Sequence, residues 1–248
     1  MRFPLQVAGW AFGLPLEILI IATLLRGGYR RFPFIFLYVL SDFLTTVLEI
    51  PAEIEYVRGV KMTRAPYSAL YWTDEVIVQI LIYAVVMSLI FGSTRDLRSR
   101  RMVRAALLAG TILAAGISFV VHYNPALNPG SWMTPWTRDL NFCSAILDFG
   151  LWTLLIASRR RDHQLLLLSG ALGIKFAGES IGESLRQLAI QSRSRPISLT
   201  GNVIIMGANV FFLYLWWQAL RTKRADEGRS VPGTEKAAGA SPGGFLRF

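Results

Sequence analysis

The stretch VIVQILIYAVVMSLIF, residues 76–91, decides the fold class of this chain. Its apolar side chains cover every face of a helix, whereas a helix of a soluble bundle shows a polar face with a period of about 3.6 residues. The stretches LPLEILIIATLL at 14–25 and VIIMGANVFFLYL at 203–215 are nearly as apolar all round. These patterns favour helices surrounded by lipid over a water-soluble helical bundle.

Crossing a hydrocarbon core takes a helix of about 20 apolar residues. Seven segments meet this requirement and use almost the whole chain, so we predict an all-α, polytopic membrane helical bundle over residues 1–221. The spans are placed near residues 5–25, 32–51, 71–91, 103–122, 137–157, 164–190 and 199–220. Residues 222–248 are rich in Gly, Ala, Ser, Pro and charge, which predicts a disordered cytoplasmic tail.

The composition agrees with a membrane location. Of the 248 residues, 53% are hydrophobic and 12% aromatic, which is more apolar than an ordinary soluble domain. The net charge of +10 arises from arginines in the connectors between spans, whereas a nucleic-acid-binding protein needs a basic face on a folded domain. The lipid bilayer is therefore the predicted partner, and no nucleic acid is.

Basic residues are distributed unequally between the two ends of the predicted bundle. Fourteen lie at one end: Arg26, Arg30, Arg31, Arg95, Arg98, Arg100, Arg101, Arg104, Arg159, Arg160, Arg161, Arg221, Lys223 and Arg224. Eight lie at the other: Arg2, Arg58, Lys61, Arg64, Arg138, Arg186, Arg193 and Arg195. Because cytoplasmic connectors carry the excess of Lys and Arg, we predict a multi-pass inner-membrane protein with its N-terminus outside and its C-terminus in the cytoplasm.

Prolines and aromatic residues are concentrated in the two outer connectors. They are Pro51, Tyr56, Pro66, Tyr67, Tyr71 and Trp72 in one, and Tyr123, Pro125, Pro129, Trp132, Pro135 and Trp136 in the other. Rings with a polar tip favour the headgroup level of a bilayer. We therefore expect these residues to anchor helix ends at the interface rather than to contact a ligand.

Two pairs of glycines are spaced four residues apart, Gly9 with Gly13 and Gly178 with Gly182. Small residues at this spacing let helices approach closely, so both pairs predict helix packing. Pro15 follows the first pair and predicts a kink in the first helix.

Ionisable residues fall inside the predicted spans: Glu17, Asp42, Asp148, Lys175, Glu179 and Glu183. A charged side chain at the bilayer centre costs about 2.5–3.5 kcal/mol. These groups are therefore expected to face the bundle interior and to be paired, protonated or hydrated. Glu49 follows Asp42 by seven residues, which places both on one face of the second helix. Asn209 is a polar residue inside the seventh predicted helix. Lys175 and Glu179, four residues apart, can pair within one helix.

Two interpretations of this polar set stay open. It is either a network that fixes helix register and packing, or a cavity that binds a ligand or ion or relays protons. The excess of carboxylates over basic partners favours the second interpretation for the set as a whole. The candidate ligand- or ion-binding residues are Glu17, Asp42, Glu49, Asp148, Lys175, Glu179, Glu183 and Asn209.

No pattern in the sequence predicts an enzyme. A zinc site usually needs several His or Cys ligands, but the two histidines, His122 and His163, lie apart in the chain. Neither a phosphate-binding glycine loop nor a nucleophile elbow occurs. Glu179 and Glu183 could act as acid and base, but nothing supplies a nucleophile. No catalytic residue, metal or cofactor is predicted.

The block YRRFPFIFLY, residues 29–38, resembles the opening of the second helix in a family of uncharacterised bacterial, acidobacterial-type seven-helix integral membrane proteins. Tyr71 and Trp72 at the start of the third span and the Arg-rich third connector fit the same pattern. The resemblance covers residues 1–221. It implies a seven-helix membrane fold and carries no activity or functional residue to this chain.

Two classes of function fit these patterns. The first is a receptor-like or binding module, in which a ligand from the outer side meets the carboxylates and alters how the Arg-rich inner loops contact a membrane or cytoplasmic protein partner. The second is a small-solute or proton-coupled transporter, although no inverted repeat is apparent and the helix count is odd. A purely structural membrane subunit is a further alternative, and a homo-oligomer could supply what one chain lacks.

Overall fold

A computed structural model describes residues 2–57, 64–93, 100–124, 129–157 and 163–229 of the chain. Over these ranges it contains seven α-helices: α1 (Arg2–Thr23), α2 (Pro33–Val57), α3 (Arg64–Ser93), α4 (Arg100–His122), α5 (Pro129–Ala157), α6 (His163–Ser192) and α7 (Arg195–Arg229). A π-helical turn, Leu24–Gly28, continues α1. The predicted all-α fold with seven helices is confirmed.

All seven helices of the described ranges are long and apolar enough to cross a membrane. Large apolar side chains also cover the outside of the bundle: Leu48 of α2 is 75% exposed, and Met102 and Val120 of α4 are 78% and 76% exposed. Exposing apolar surface to water costs about 25 cal/mol per Å², whereas acyl chains solvate it without this cost. Composition and outer surface together indicate a multi-pass membrane protein.

Helices α6 and α7 share the most extensive contact among the described helices. Helix α7 also packs against α1, while α5 lies between α3 and α6, and α2 lies between α1 and α3. Helix α4 packs on α5 at the periphery, and none of its residues whose exposure is described is buried. Six helices therefore follow one another in a closed ring, in the order α1, α2, α3, α5, α6 and α7, with α4 outside it.

Buried apolar side chains concentrate toward one end of the bundle, where Ile35 of α2 and Trp216 of α7 have no exposed surface. The helix termini of this end carry basic residues, and we call it the arginine-rich end: Arg26, Arg30, Arg31, Arg101, Arg104 and Arg221. The guanidinium carbon of Arg104 lies 5.4 Å from the centroid of the Phe91 ring. The apolar core therefore closes the bundle just inside the arginine-rich end.

Glycines set the distance between α6 and α7. A Cβ atom on Gly182 would lie 2.8 Å from the carbonyl oxygen of Gly201, and a Cβ on Gly201 would lie 2.7 Å from that of Gly182. Gly178, one turn earlier on α6, faces Ala208 of α7 without room for a Cβ. The pair Gly178 and Gly182 is therefore a packing pair, as the spacing predicts.

The Gly182 contact gives a stability prediction with a matched control. Replacing Gly182 by alanine is expected to lower the free energy of unfolding by about 1–3 kcal/mol, because the added methyl group pushes α6 away from α7. A Cβ on Gly207 of α7 meets no atom within 4 Å, so alanine there is expected to raise stability by about 0.5–1 kcal/mol through its helix propensity. Unfolding in mixed dodecylmaltoside–SDS micelles measures both, and equal effects would contradict the close contact.

An irregular turn follows α1. Pro15 lies inside the α-helix, and the π-helical turn Leu24–Gly28 follows, where Gly27 has a φ of 128°. This φ lies in the left-handed region that glycine adopts without strain. Gly9, nearer the start of α1, lies against Met206 of α7, and a Cβ there would make an ordinary contact of 3.5 Å.

Four helices extend six or more residues further than the apolar segments that predicted them. Helix α2 ends at Val57 rather than near 51. Helix α3 begins at Arg64 rather than near 71, α5 begins at Pro129 rather than near 137, and α7 ends at Arg229 rather than near 220. Hydropathy marks the part of a helix that suits lipid, whereas a nucleated helix propagates into polar residues at little cost. The predicted tail begins as helix at 222–229, and its remainder, residues 230–248, lies outside the described residues.

Most residues assigned to the outer connectors belong to helices, which corrects that assignment. Pro51 and Tyr56 lie in α2, Pro66, Tyr67, Tyr71 and Trp72 in α3, and Pro129, Trp132, Pro135 and Trp136 in α5. Proline fits the first turn of a helix because the N–H group it lacks has no intrahelical acceptor there. Pro66 and Pro129 therefore mark helix starts. Pro125 lies outside the described residues.

Candidate functional site

An ion pair within α6 lies in the middle of the bundle. Lys175 Nζ donates a hydrogen bond to Glu179 Oε1, and the two side chains are 12% and 23% exposed. Their spacing of four residues places them on one helix face, as the sequence predicts. Asn141 of α5 donates from Nδ2 to the other carboxylate oxygen of Glu179 over 2.9 Å. The Glu179 carboxylate is therefore held from two helices.

Three aromatic rings lie beneath the Lys175 ammonium, on the side of the arginine-rich end. The ring centroids of Phe212 and Trp216 of α7 are 4.3 Å apart, and Tyr38 of α2 meets both rings edge-on. Lys175 Nζ lies 5.7 Å from the Phe212 centroid, in cation–π range. The Trp216 indole N–H donates to the carbonyl oxygen of Leu168 over 3.1 Å. These rings form an apolar floor under the ion pair.

Two further carboxyl groups, from α1 and α2, lie at the depth of the ion pair. Glu17 is only 3% exposed, and Asp42 is half-buried. Asp42 lies close enough to interact electrostatically with Glu17, Tyr38 and Lys175. The structure therefore places Asp42 within electrostatic range of both the Lys175 ammonium and the Glu17 carboxyl group.

Buried oxygen atoms of this region lack hydrogen-bond donors. Within the described residues, Glu17 Oε2, Asn141 Oδ1 and Asn209 Oδ1 are buried without a hydrogen-bond partner. Asn209 lies on α7 one turn from Phe212, and a buried polar atom left unpaired costs about 1–3 kcal/mol. All three atoms are acceptors, which a hydrogen-bond donor or a cation would satisfy.

We call the polar groups at this depth of the bundle the central cluster: Glu17, Asp42, Asn141, Lys175, Glu179 and Asn209. Five of them are among the candidates from the sequence, whereas Asn141 and the aromatic floor are not. Helical spacing carries a signal for the floor, because Phe212 and Trp216 follow Asn209 at three and seven residues on one face. Tyr38 likewise lies one turn before Asp42.

Asp148 lies apart from the central cluster. Its Oδ1 accepts a hydrogen bond of 2.8 Å from the Ser169 hydroxyl, and both side chains are buried between α5 and α6. Gly173 of α6 leaves room for the other oxygen, since a Cβ there would lie 3.5 Å from Asp148 Oδ2. The described contacts of Asp148 are thus to α6 backbone and hydroxyl groups nearer the arginine-rich end than Lys175.

Glu183 and Glu49 also lie outside the central cluster. Glu183 pairs with Arg186 on α6 over 2.6 Å, and the two side chains are about half exposed. Glu49 is half-buried on α2, two turns beyond Asp42 and away from the arginine-rich end. The expectation that Glu183 faces the bundle interior is wrong, because its side chain is about half exposed beside Arg186. Both residues lie at another depth than the cluster.

A second polar group, absent from the sequence-based candidates, joins α4 to α5 at the opposite end of the bundle. Ser118 donates to Asp139 Oδ2 over 2.8 Å, and His122 Nε2 lies 3.0 Å from the same oxygen. Aromatic rings stack around it: Phe119, Tyr123, Trp132 and Trp136. Because Ser118 bonds the carboxylate rather than the imidazole, the group lacks the relay that activates a serine nucleophile. It fastens α4.

Replacing Asp139 by alanine is expected to loosen α4, because Ser118 and His122 lose their shared acceptor. These hydrogen bonds are half exposed, so the expected loss is about 0.5–1.5 kcal/mol. Hydrogen exchange is expected to accelerate in the outer half of α4 and to stay unchanged in α6. Arg138→Ala, one residue earlier and exposed, is the control, and the same acceleration in that variant would contradict the assigned role.

Within the described ranges, no three His, Cys, Asp or Glu side chains are grouped so that they could hold a metal ion. The central cluster is thus a site of mixed carboxyl, amide and ammonium groups above aromatic rings. Comparison of the chain with models of known protein families, with curated proteins and with solved structures finds no match.

Proposed function

We propose that this chain is a receptor-like membrane protein that binds a ligand or ion at the central cluster. It spans the bacterial inner membrane with its N-terminus outside and the arginine-rich end in the cytoplasm. The excess of Lys and Arg at that end supports this orientation. The apolar core closes the arginine-rich end, so the ligand enters from the opposite, outer side.

The observation that carries the proposal is the set of buried acceptors without donors. A network that only fixed helix packing would satisfy its own members, because each unpaired buried group is costly in a low-dielectric interior. Here Glu17 Oε2, Asn141 Oδ1 and Asn209 Oδ1 have no hydrogen-bond partner within the described residues, while the nearby ammonium already bonds Glu179. A bound cation or donor would complete the set.

The test uses the full chain in lipid nanodiscs with a panel of inorganic and organic cations. At least one cation is expected to raise the thermal unfolding midpoint, since a ligand that binds only the folded state stabilises it. Glu17→Gln is expected to abolish the rise. Glu183→Gln is the matched control because Glu183 is exposed and lies outside the cluster. If no cation raises the midpoint and Glu17→Gln is at least as stable as the parent, the chain is a purely structural membrane subunit.

A transporter is the second candidate, and the shape of α1 favours it. This helix carries Glu17 between Pro15 and the kink at Gly27, and helices bend at such proline and glycine positions. Alternating access requires the site to open to one side of the membrane at a time, and a helix that lines the site and can bend would allow this. Ligand-driven flux or proton flux in proteoliposomes, lost in Glu179→Gln and Asp148→Asn, would establish the transporter, whereas binding without flux under any gradient would leave the receptor.

Membership in the acidobacterial-type seven-helix family is part of the same proposal, on the residues 29–38 that resemble it. The proposed receptor passes its signal to a separate membrane or cytoplasmic protein partner, for which the Arg-rich inner loops are the proposed contact. Cross-linking from Arg26→Cys or Arg101→Cys in native membranes tests this contact and also reports a homo-oligomer.

A further inference from the structure

We propose that the ligand is an organic amine and that Lys175 is its built-in substitute. In the unliganded protein the Lys175 ammonium occupies the central cluster, and the ammonium group of the incoming amine displaces it. The inference rests on the proposed function, because it names the class of ligand that the same site takes.

The first step concerns the chemistry that the cluster lacks. Its unpartnered atoms within the described residues, Glu17 Oε2, Asn141 Oδ1 and Asn209 Oδ1, are all acceptors. Glu17 is 3% exposed and interacts electrostatically with Asp42, so its unpartnered oxygen lies inside the bundle within electrostatic range of Asp42. A primary ammonium group brings three N–H donors together with a positive charge, and therefore matches both deficits.

The second step separates an amine from a metal ion. Calcium and magnesium require about six or more oxygen ligands at short, regular distances, and the described residues hold no group of three metal-ligating side chains. The aromatic floor offers instead a ring face, which attracts ammonium groups. Lys175 already shows how an ammonium group lies here, bonded to Glu179 and 5.7 Å from the Phe212 centroid.

The third step is the exchange. An amine that reaches Asn141 Oδ1 lies next to the Glu179 carboxylate, which the same Asn141 amide bonds. Its ammonium and that of Lys175 then repel each other strongly in a low-dielectric interior. The floor of Tyr38, Phe212 and Trp216 is packed, so the amine cannot bind below Lys175. The four-carbon stem of lysine is flexible, and its rotation moves the ammonium toward Asp42, the other carboxyl group within its electrostatic range, without moving α6. Binding of the amine therefore releases Lys175 from Glu179, and this movement of the Lys175 side chain signals that the amine is bound.

The experiment measures dissociation constants for methylammonium and n-butylammonium with the full chain in nanodiscs, against sodium and potassium at equal ionic strength. Tetramethylammonium is the matched control ligand, because it has the same charge without N–H donors. The proteins are the parent, Lys175→Met and Glu17→Gln. If Lys175→Met does not fold, Lys175→Gln replaces it, since glutamine keeps a donor toward Glu179.

The alkylammonium ions are expected to bind the parent, and to bind the Lys175 variant about tenfold or more tightly because no resident ammonium has to be displaced. Glu17→Gln is expected to weaken binding, and tetramethylammonium to bind weakly to every variant. Equal or weaker binding by the Lys175 variant overturns the exchange. Glu17-dependent binding of sodium or potassium without binding of amines overturns the amine class and leaves the proposed function intact. If no cation binds at all, the proposed function fails with it.

Discussion

Replacing Trp216 by alanine is expected to lower the free energy of unfolding by about 3–5 kcal/mol. Trp216 has no exposed surface, and its ring packs against Phe212 and Tyr38 with centroid distances of 4.3 and 5.7 Å. Helices in lipid gain little from leaving water, so association depends on close packing and interhelical hydrogen bonds. The variant loses both, because a cavity replaces the indole and its hydrogen bond to the Leu168 carbonyl is lost.

The next residue provides the control for this prediction. Trp217 is half-buried and lies against Arg221 at 5.3 Å, so acyl chains can replace most of its contacts, and Trp217→Ala is expected to cost less than about 1 kcal/mol. Trp216→Phe keeps most of the ring volume and is expected to cost about 1 kcal/mol through the lost N–H donor. Unfolding in mixed micelles measures all three. Equal costs at positions 216 and 217 would contradict the aromatic floor.

Hydropathy could predict the number and approximate position of the helices, because lipid requires an unbroken apolar segment of fixed length. It could not predict where the helices end. The start of α3 at Arg64 and of α5 at Pro129 depends on backbone hydrogen bonds and on proline in a first turn, which leave no mark in average hydropathy. The prolines therefore suggest connectors where the chain is already helical.

In the candidate site, too, a contact within one helix could be predicted from the sequence, whereas contacts between helices could not. The Lys175–Glu179 pair could be predicted because both residues belong to one helix, and their spacing fixes their distance. The separation of Asp148 from that pair could not, because it depends on the relative height of α5 and α6, which places Ser169 rather than Lys175 beside the carboxyl group. The contact between Asp139 and His122 across two helices likewise has no counterpart in sequence spacing.

The charge balance of the central cluster predicts unequal effects for the two partners of its ion pair. Lys175→Met is expected to lower the free energy of unfolding by about 3–5 kcal/mol, the cost of leaving a buried ion pair without one partner. Glu179→Gln is expected to cost only about 1.5–3 kcal/mol, as for a lost hydrogen bond to a charged group. In that variant Asp42 still interacts with the ammonium, and glutamine still accepts from Asn141.

The double variant Lys175→Met with Glu179→Gln completes the cycle and is expected to be more stable than Lys175→Met alone, because removing Glu179 relieves the excess of carboxylates. The exposed pair Glu183 and Arg186 provides the control, since replacing either partner by a neutral residue is expected to cost less than about 1 kcal/mol. Equal costs for Lys175→Met and Glu179→Gln would identify an isolated ion pair. The remaining carboxyl groups would then not attract a cation, and the electrostatic reason for this site to bind one would be absent.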